Sequence, residues 1–256
     1  MTELVHLDVA DGVATVTLDS PANRNALSAQ LRRELLAHLA TAIADDAARV
    51  IVLAHTGTVF CSGMDLKESR GASAQDQGVN EFPAILERIW TSPTPVLARL
   101  EGPARAGGVG LVAACDIAVA AEDASFAFSE VRIGVVPAVI SVTVLPRLLP
   151  RAAHELFLTG ETFDAHTAAR IGLINSAVPG FDLDAEVHRY VEMLRRGAPG
   201  ALAATKELLH REQPAALGER FEQMLALSAT FFAAPEAQEG MAAFAAKRPP
   251  SWAPDS

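Results

Sequence analysis

The chain has 256 residues, half of them apolar, which is enough to bury an ordinary core as one domain, or one domain with a helical appendage, and speaks against disorder. Its 21 basic and 31 acidic residues leave a formal charge of −10, which opposes non-specific binding to nucleic acid or to an anionic lipid surface. Cys61 and Cys115 are the two cysteines and form no CxxC pair, so they read as small buried groups in a reducing compartment rather than a disulfide framework.

The opening stretch, MTELVHLDVADG, has no basic region followed by an apolar one, so no signal peptide is expected. The most apolar run, residues 111–121, contains Asp116 and falls short of the roughly 18 residues that a membrane span needs.

In chain order, residues 4–9 and 13–18 are predicted to form a hairpin closed by Asp11-Gly12, with Val16 and Leu18 alternating with Thr15 and Thr17. Ser28 then caps an amphipathic helix whose Leu31, Leu35, Leu39 and Ile43 recur every four residues, and residues 50–54 follow as an apolar strand. The polar residues 69–80, with Gly71 and Gly78, read as a surface loop able to act as a lid. A helix through Ile85, Leu86 and Ile89 precedes a strand over 95–100, and a short helix after Gly107-Gly108 leads into a strand over 117–120. This alternation predicts an α/β layer architecture. From Ala152 onward the pattern becomes alanine- and leucine-rich helices interrupted at Gly172, Pro179, Pro199, Pro214 and Pro235, with no internal repeat.

Seven scattered histidines without HxxxH or HExxH spacing give no metal site, and the lack of a GxSxG elbow argues against a serine hydrolase. Two glycine-containing segments each follow an apolar strand: Phe60-Cys61-Ser62-Gly63-Met64-Asp65-Leu66 and residues 102–110, which include Gly107 and Gly108. Glycines at a helix start allow a ligand to reach the main chain, where unpaired N–H groups and the helix dipole favour a developing oxyanion. The alternative is that Gly63 and Gly107 only make tight turns. Gly108-Val109-Gly110-Leu111-Val112-Ala113 satisfies the dinucleotide pattern GxGxxA, but it lies too far from the preceding strand and too close to the next for that turn and helix. In residues 126–137 a single carboxylate, Glu130, sits among apolar neighbours, where desolvation would raise its pKa toward the range useful for proton transfer. It could equally be a rim residue paired with Arg132.

Taken together and in order, these segments resemble the crotonase, or enoyl-CoA hydratase/isomerase, superfamily. The likeness runs from Pro21-Ala22-Asn23-Arg24-Asn25-Ala26-Leu27 to the Glu239-Gly240-Met241 stretch ending at Arg248. It implies an α/β fold, a spiral of strand-strand-helix units over 1–195, with a helical trimerisation region over 196–256. By the same resemblance the N–H groups of Met64 and Gly107 form an oxyanion hole for an acyl-CoA thioester, and Glu130 transfers the proton. The family's hydratases place a further glutamate where this chain has Gly110. That departure keeps a delta-3,delta-2-enoyl-CoA isomerase in play, although residues 128–141 resemble hydratases of the methylglutaconyl-CoA type and favour hydration. The extra acid of dienoyl isomerases is absent over 138–140. A non-catalytic acyl-CoA binding protein is the third possibility.

For coenzyme A, the resemblance implies adenine near Arg24, Ala26, Met64, Asp65 and Leu66, and phosphates near Lys67. Phe244 and Lys247 match positions that often complete the site from a neighbouring subunit; a solvated helix end is the alternative. No cofactor beyond the substrate's coenzyme A is expected. Further expectations are a homotrimer or dimer of trimers, no nucleic-acid or membrane partner, and a cytoplasmic location. The acyl-pocket walls are expected from residues 69–80 and from the helix around Trp90.

Overall fold

The structure, a computed structural model, describes residues 2–68, 81–210 and 217–252; the loop expected over 69–80 and the break at Pro214 lie outside them. Strands β1 (Val5–Ala10) and β2 (Val13–Leu18) form the hairpin, closed by Asp11 at φ 50° and Gly12 at φ 75°, the two positive φ angles of a type I′ turn. Val16 and Leu18 are fully buried while Thr15 and Thr17 are partly exposed. Ser28 caps α1 (Ala29–Ala44), its Oγ accepting from Leu31 N at 3.3 Å, and Leu31, Leu35 and Leu39 point into the core.

The chain continues through β3 (Val50–His55), α2 (Glu81–Thr91), β4 (Val96–Leu100), β5 (Ala104–Arg105), α3 (Gly107–Ala114), β6 (Ile117–Ala121) and β7 (Ser125–Ala127). A 3-10 turn, Ser129–Ile133, then leads into α4 (Ala138–Val144), α5 (Pro150–Thr159), β8 (Phe163–Asp164), α6 (Ala165–Arg170) and β9 (Ser176–Val178). The C-terminal helices are α7 (Leu183–Arg195), α8 (Pro199–His210), α9 (Leu217–Phe232) and α10 (Pro235–Ala245).

The larger sheet has the order β1-β2-β3-β4-β6-β9 and is parallel from β2 onward; the smaller, β5-β7-β8, is extended by bridges between Cys61 and Ala104 and between Leu27 and Met64. Successive units place one strand in each sheet before a helix, as in β4-β5-α3 and β6-β7-α4. This is the strand-strand-helix spiral. Both faces of β3 are covered: Val50, Val52 and Ala54 pack on Leu183, Val187 and Val191 of α7, while Ile51 and Leu53 join the main core with α1, α2 and α3. Burial on both sides explains why residues 50–54 are apolar without alternation.

Two strands depart from the expectation of helices alone after Ala152. β8 and β9 have two and three residues, too short to show a period, and their partners β7 and β6 specify them. Pro199 and Pro235 open α8 and α10 rather than merely interrupting them, since a first-turn residue needs no N–H acceptor. Lys206 of α8 is buried, donating to Asp116 Oδ2 at 2.7 Å and Ile89 O at 3.1 Å, and Phe221 of α9 belongs to the main core. Among the described residues no helix is long and apolar enough to cross a membrane.

Candidate active site

The first glycine segment is held by three neighbours. Phe60 N donates to Pro103 O at 3.0 Å, Ser62 N to Arg24 O at 3.1 Å, and Leu27 N to Gly63 O at 2.8 Å. Gly63 takes φ +87°, and Ala106, just before α3, takes a rare φ of 48° for a residue with a side chain. These two bends bring the segments together. A Cβ built on Gly63 would lie 3.0 Å from Ala106 Cβ and 3.4 Å from Gly107 N. Among the described residues, neither Met64 N nor Gly107 N has a protein acceptor. Gly107 is the first residue of α3, so its N–H is one of the helix's orphan donors.

Met64 and Gly107 line a cavity of about 330 Å³ that also contains Glu130. Glu130 sits on the 3-10 turn, its carbonyl accepting from Gly134 N and, at 3.0 Å, from Val135 N. The residue is partly buried as a whole, but its Oε2 is sealed from solvent and has no hydrogen-bond partner among the described residues. Burial pushes its pKa up to about 7, against a smaller lowering by a hydrogen bond from its own backbone. The pairing with Arg132 does not form. Arg132 instead binds Glu161 and donates to Thr159 O at 3.1 Å and Gly160 O at 3.2 Å.

Gly110 lies inside α3 and is absent from the cavity wall. A Cβ there would fall 2.6 Å from Ile140 Cγ2 and 3.5 Å from Phe82 Cζ, so Ile140 occupies the space where a side chain would emerge. Among the described residues the cavity thus has one carboxyl beside the two amides. Arg132 and Arg248 are its other charged residues among those described, and each is engaged by a carboxylate, Glu161 and Glu239 respectively.

Of the residues expected around coenzyme A, those near Arg24 and those near Met64 lie against one another, with Ser62 N donating to Arg24 O and Leu27 bridged to Met64. Arg24 is left-handed at φ 52°, Ala26 is buried, and Asp65 accepts from Asn23 Nδ2 at 2.7 Å and from Lys67 N at 2.9 Å. Leu66 lines the cavity, and Lys67 is exposed. Phe244 reaches the cavity of its own chain because α10 packs on the 3-10 turn, whereas Lys247 is exposed and does not line it. The wall expected near Trp90 comes from Phe82 on the same helix. Trp90 is buried under the Arg147 guanidinium, 4.6 Å from its ring centre, and borders a different cavity beside Lys206.

Sequence reasoning missed Ser228 and Phe232 of α9 and Arg248, all lining the cavity. The signal available was weak: Ser228 and Phe232 are four apart on one helical face. Among the described residues no group of three or more His, Cys, Asp or Glu could hold a metal. Both cysteines are buried with thiol pKa values pushed up to about 12 by burial, which leaves them unreactive.

A sequence profile of the enoyl-CoA hydratase/isomerase family matches residues 8–255. The chain belongs to the enoyl-CoA hydratase/isomerase family. A Rhodobacter capsulatus family member named "Probable enoyl-CoA hydratase" is 37% identical over 255 residues, with 96% of each chain covered. The mitochondrial enoyl-CoA hydratase domain-containing protein 3 of Mus musculus is 34% identical, covering 94% of this chain and 82% of its own. The crystal structure of an enoyl-CoA hydratase from Mycobacterium avium superposes with a TM-score of 0.87 at 46% identity, covering 99% of this chain and 100% of the other.

Proposed function

We propose that the protein binds an acyl-CoA thioester with its carbonyl oxygen between the Met64 and Gly107 amides and adds water to a 2-enoyl-CoA, Glu130 moving the proton. The supporting observation is the sealed, partnerless Glu130 Oε2 in the cavity that also presents two amides without protein acceptors. As the water oxygen bonds to C3, the Glu130 carboxylate takes a water proton and negative charge moves onto the thioester oxygen. The two N–H groups stabilise that charge. The carboxylic acid then returns the proton to C2 as the enolate collapses, so one water is added in all. A pKa of about 7 suits a group that must serve as base and then as acid at neutral pH.

A second reading has its own support. With Ile140 filling the space at Gly110, one carboxyl must do all the proton transfer, as in an isomerase that removes a proton from C2 of a 3-enoyl-CoA and returns it at C4. Hydration is favoured by the similar proteins that are named enoyl-CoA hydratases. Incubation with a trans-2-enoyl-CoA and, separately, a cis-3-enoyl-CoA, followed by mass spectrometry of separated products, decides between them. Hydration of the first without conversion of the second supports the hydratase; the reverse supports the isomerase; binding without either product indicates a non-catalytic acyl-CoA binder.

The rim of Arg24, Ala26 and residues 64–66 is the proposed seat of the adenine, with Lys67 toward the phosphates. The chemistry calls on no cofactor besides the substrate's coenzyme A. Assembly as a homotrimer or dimer of trimers through residues 196–256, and a cytoplasmic location, complete the proposal.

A further inference from the structure

We infer that Gly240 is a positioning residue: it seats α10 directly on the 3-10 turn, and this seat keeps Glu130 in the dry wall of the cavity. A Cβ built on Gly240 would fall 2.3 Å from Ile133 O and 2.5 Å from Ile133 C. The reverse contact is equally close, since a Cβ on Gly134 would fall 2.7 Å from the carbonyl carbon and oxygen of Glu236. Both contacts are backbone against backbone, so no side chain can swing aside to relieve an added methyl. Val135, Ala237 and Met241 close a small buried cluster around the seat, joined by Leu66, Ile133 and Phe232.

The seat is coupled to Glu130 through single peptide steps. Gly134 N and Val135 N, the residues pressed by α10, are the donors to Glu130 O. Gly240, Phe244 and Arg248 line the same cavity as the carboxyl, so lifting α10 opens that wall to water. Hydration rather than a nearby charge is what then changes. Arg132 of the turn is taken by Glu161, and Arg248 by Glu239 of α10 at 2.7 Å. Glu236 of α10 and Arg151, His154 and Glu155 of α5 do not line the cavity; nor do Glu219, Arg220 and Glu222 of α9, and α4 has no titratable residue.

This inference rests on Glu130 being the proton-transfer group, and its test is chosen to stand apart from turnover. The midpoint of Glu130 is read by isotope-edited NMR of the glutamate carboxyls, its signal assigned by its loss in Glu130→Gln. Gly240→Ala, which presses the seat apart, and Met241→Ala, which loosens it without a clash, are compared with the unaltered protein; if the first does not fold, the second carries the test. The expected result is a midpoint lowered by about one unit or more in each folded variant, with the low-pH limb of turnover moving the same way. A midpoint within about 0.2 unit of the unaltered protein in the folded variants overturns the inference. Full turnover by Glu130→Gln would instead overturn the proposed function and leave the NMR result to judge the seat.

Discussion

Glu130 links the proposed catalysis to stability. Its pKa in the fold is about 7 against an ordinary 4.5, so folding favours the protonated form. The stability linked to it is fully present below about pH 4.5 and is lost as pH rises through about 7. A separation of that size corresponds to roughly 3 kcal/mol, as an upper figure. Glu130→Gln, which removes the charge, is therefore expected to unfold at higher denaturant concentration than the parent at about pH 8 and at an equal one at about pH 4. Its turnover should fall by about 10²- to 10⁴-fold. Denaturant titrations at the two pH values and steady-state rates check both; a variant weaker than the parent at the higher pH would contradict the burial argument.

Gly63 carries the complementary prediction. A methyl there meets Ala106 Cβ at 3.0 Å in a left-handed backbone, so Gly63→Ala should rotate the Met64 amide away from Gly107. Loss of one such donor typically costs about 10²- to 10³-fold in kcat. Measured kcat for the folded variant checks this, and an unchanged value would remove the Met64 amide from the proposed hole.

At the scale of elements, α8 is fixed by an ion pair that the chemistry does not use. Lys206 and Asp116 meet at 2.7 Å with both side chains largely buried, and Asp116 also accepts from Val96 N at 2.8 Å. Lys206→Met strips a buried carboxylate of its counter-ion, for which about 3 kcal/mol or more of lost stability is expected. Thermal or denaturant unfolding reads it; a loss under about 1 kcal/mol would show that water replaces the ammonium.

Elements with a period or a cap were legible from the sequence. The hairpin announced itself through alternation and Asp11-Gly12, and α1 through Ser28 and its leucines, because those signals are local. β8 and β9 were not legible, since so few residues hold strand form only through their partners. The site divides in the same way. The two glycine segments and Glu130, a lone carboxylate in apolar surroundings, stood out as residues, whereas Met64 and Gly107 were singled out as donors by the family resemblance alone. Ser228, Phe232 and Arg248 reach the cavity only because α9 and α10 fold back across it, and which of Phe82 or Trp90 faces the ligand depends on how α2 is rotated against α3. The occupant of the space at Gly110, Ile140, is thirty residues away in the chain and was invisible for that reason.

For the whole molecule, two sheets wound in successive strand-strand-helix units bring residues from 64, 107 and 130 to one cavity, and α9 and α10 close it. A chain of formal charge −10 repels an anionic ligand at long range, so the proposed coenzyme A binding requires local cations. Lys67→Ala is accordingly expected to raise KM several-fold with kcat retained, and added salt should narrow the difference between the two proteins because it screens the exposed lysine. Steady-state kinetics across salt concentrations measure both.

The claim on which the rest depends is that this cavity makes and holds a thioester enolate. A saturated acyl-CoA in deuterated water tests it most directly, because such a substrate can lose a C2 proton but can be neither hydrated nor isomerised. NMR should show C2 exchange catalysed by the parent protein and largely abolished in Glu130→Gln and Gly63→Ala. No exchange with the parent, or exchange of equal rate in Glu130→Gln, would contradict it.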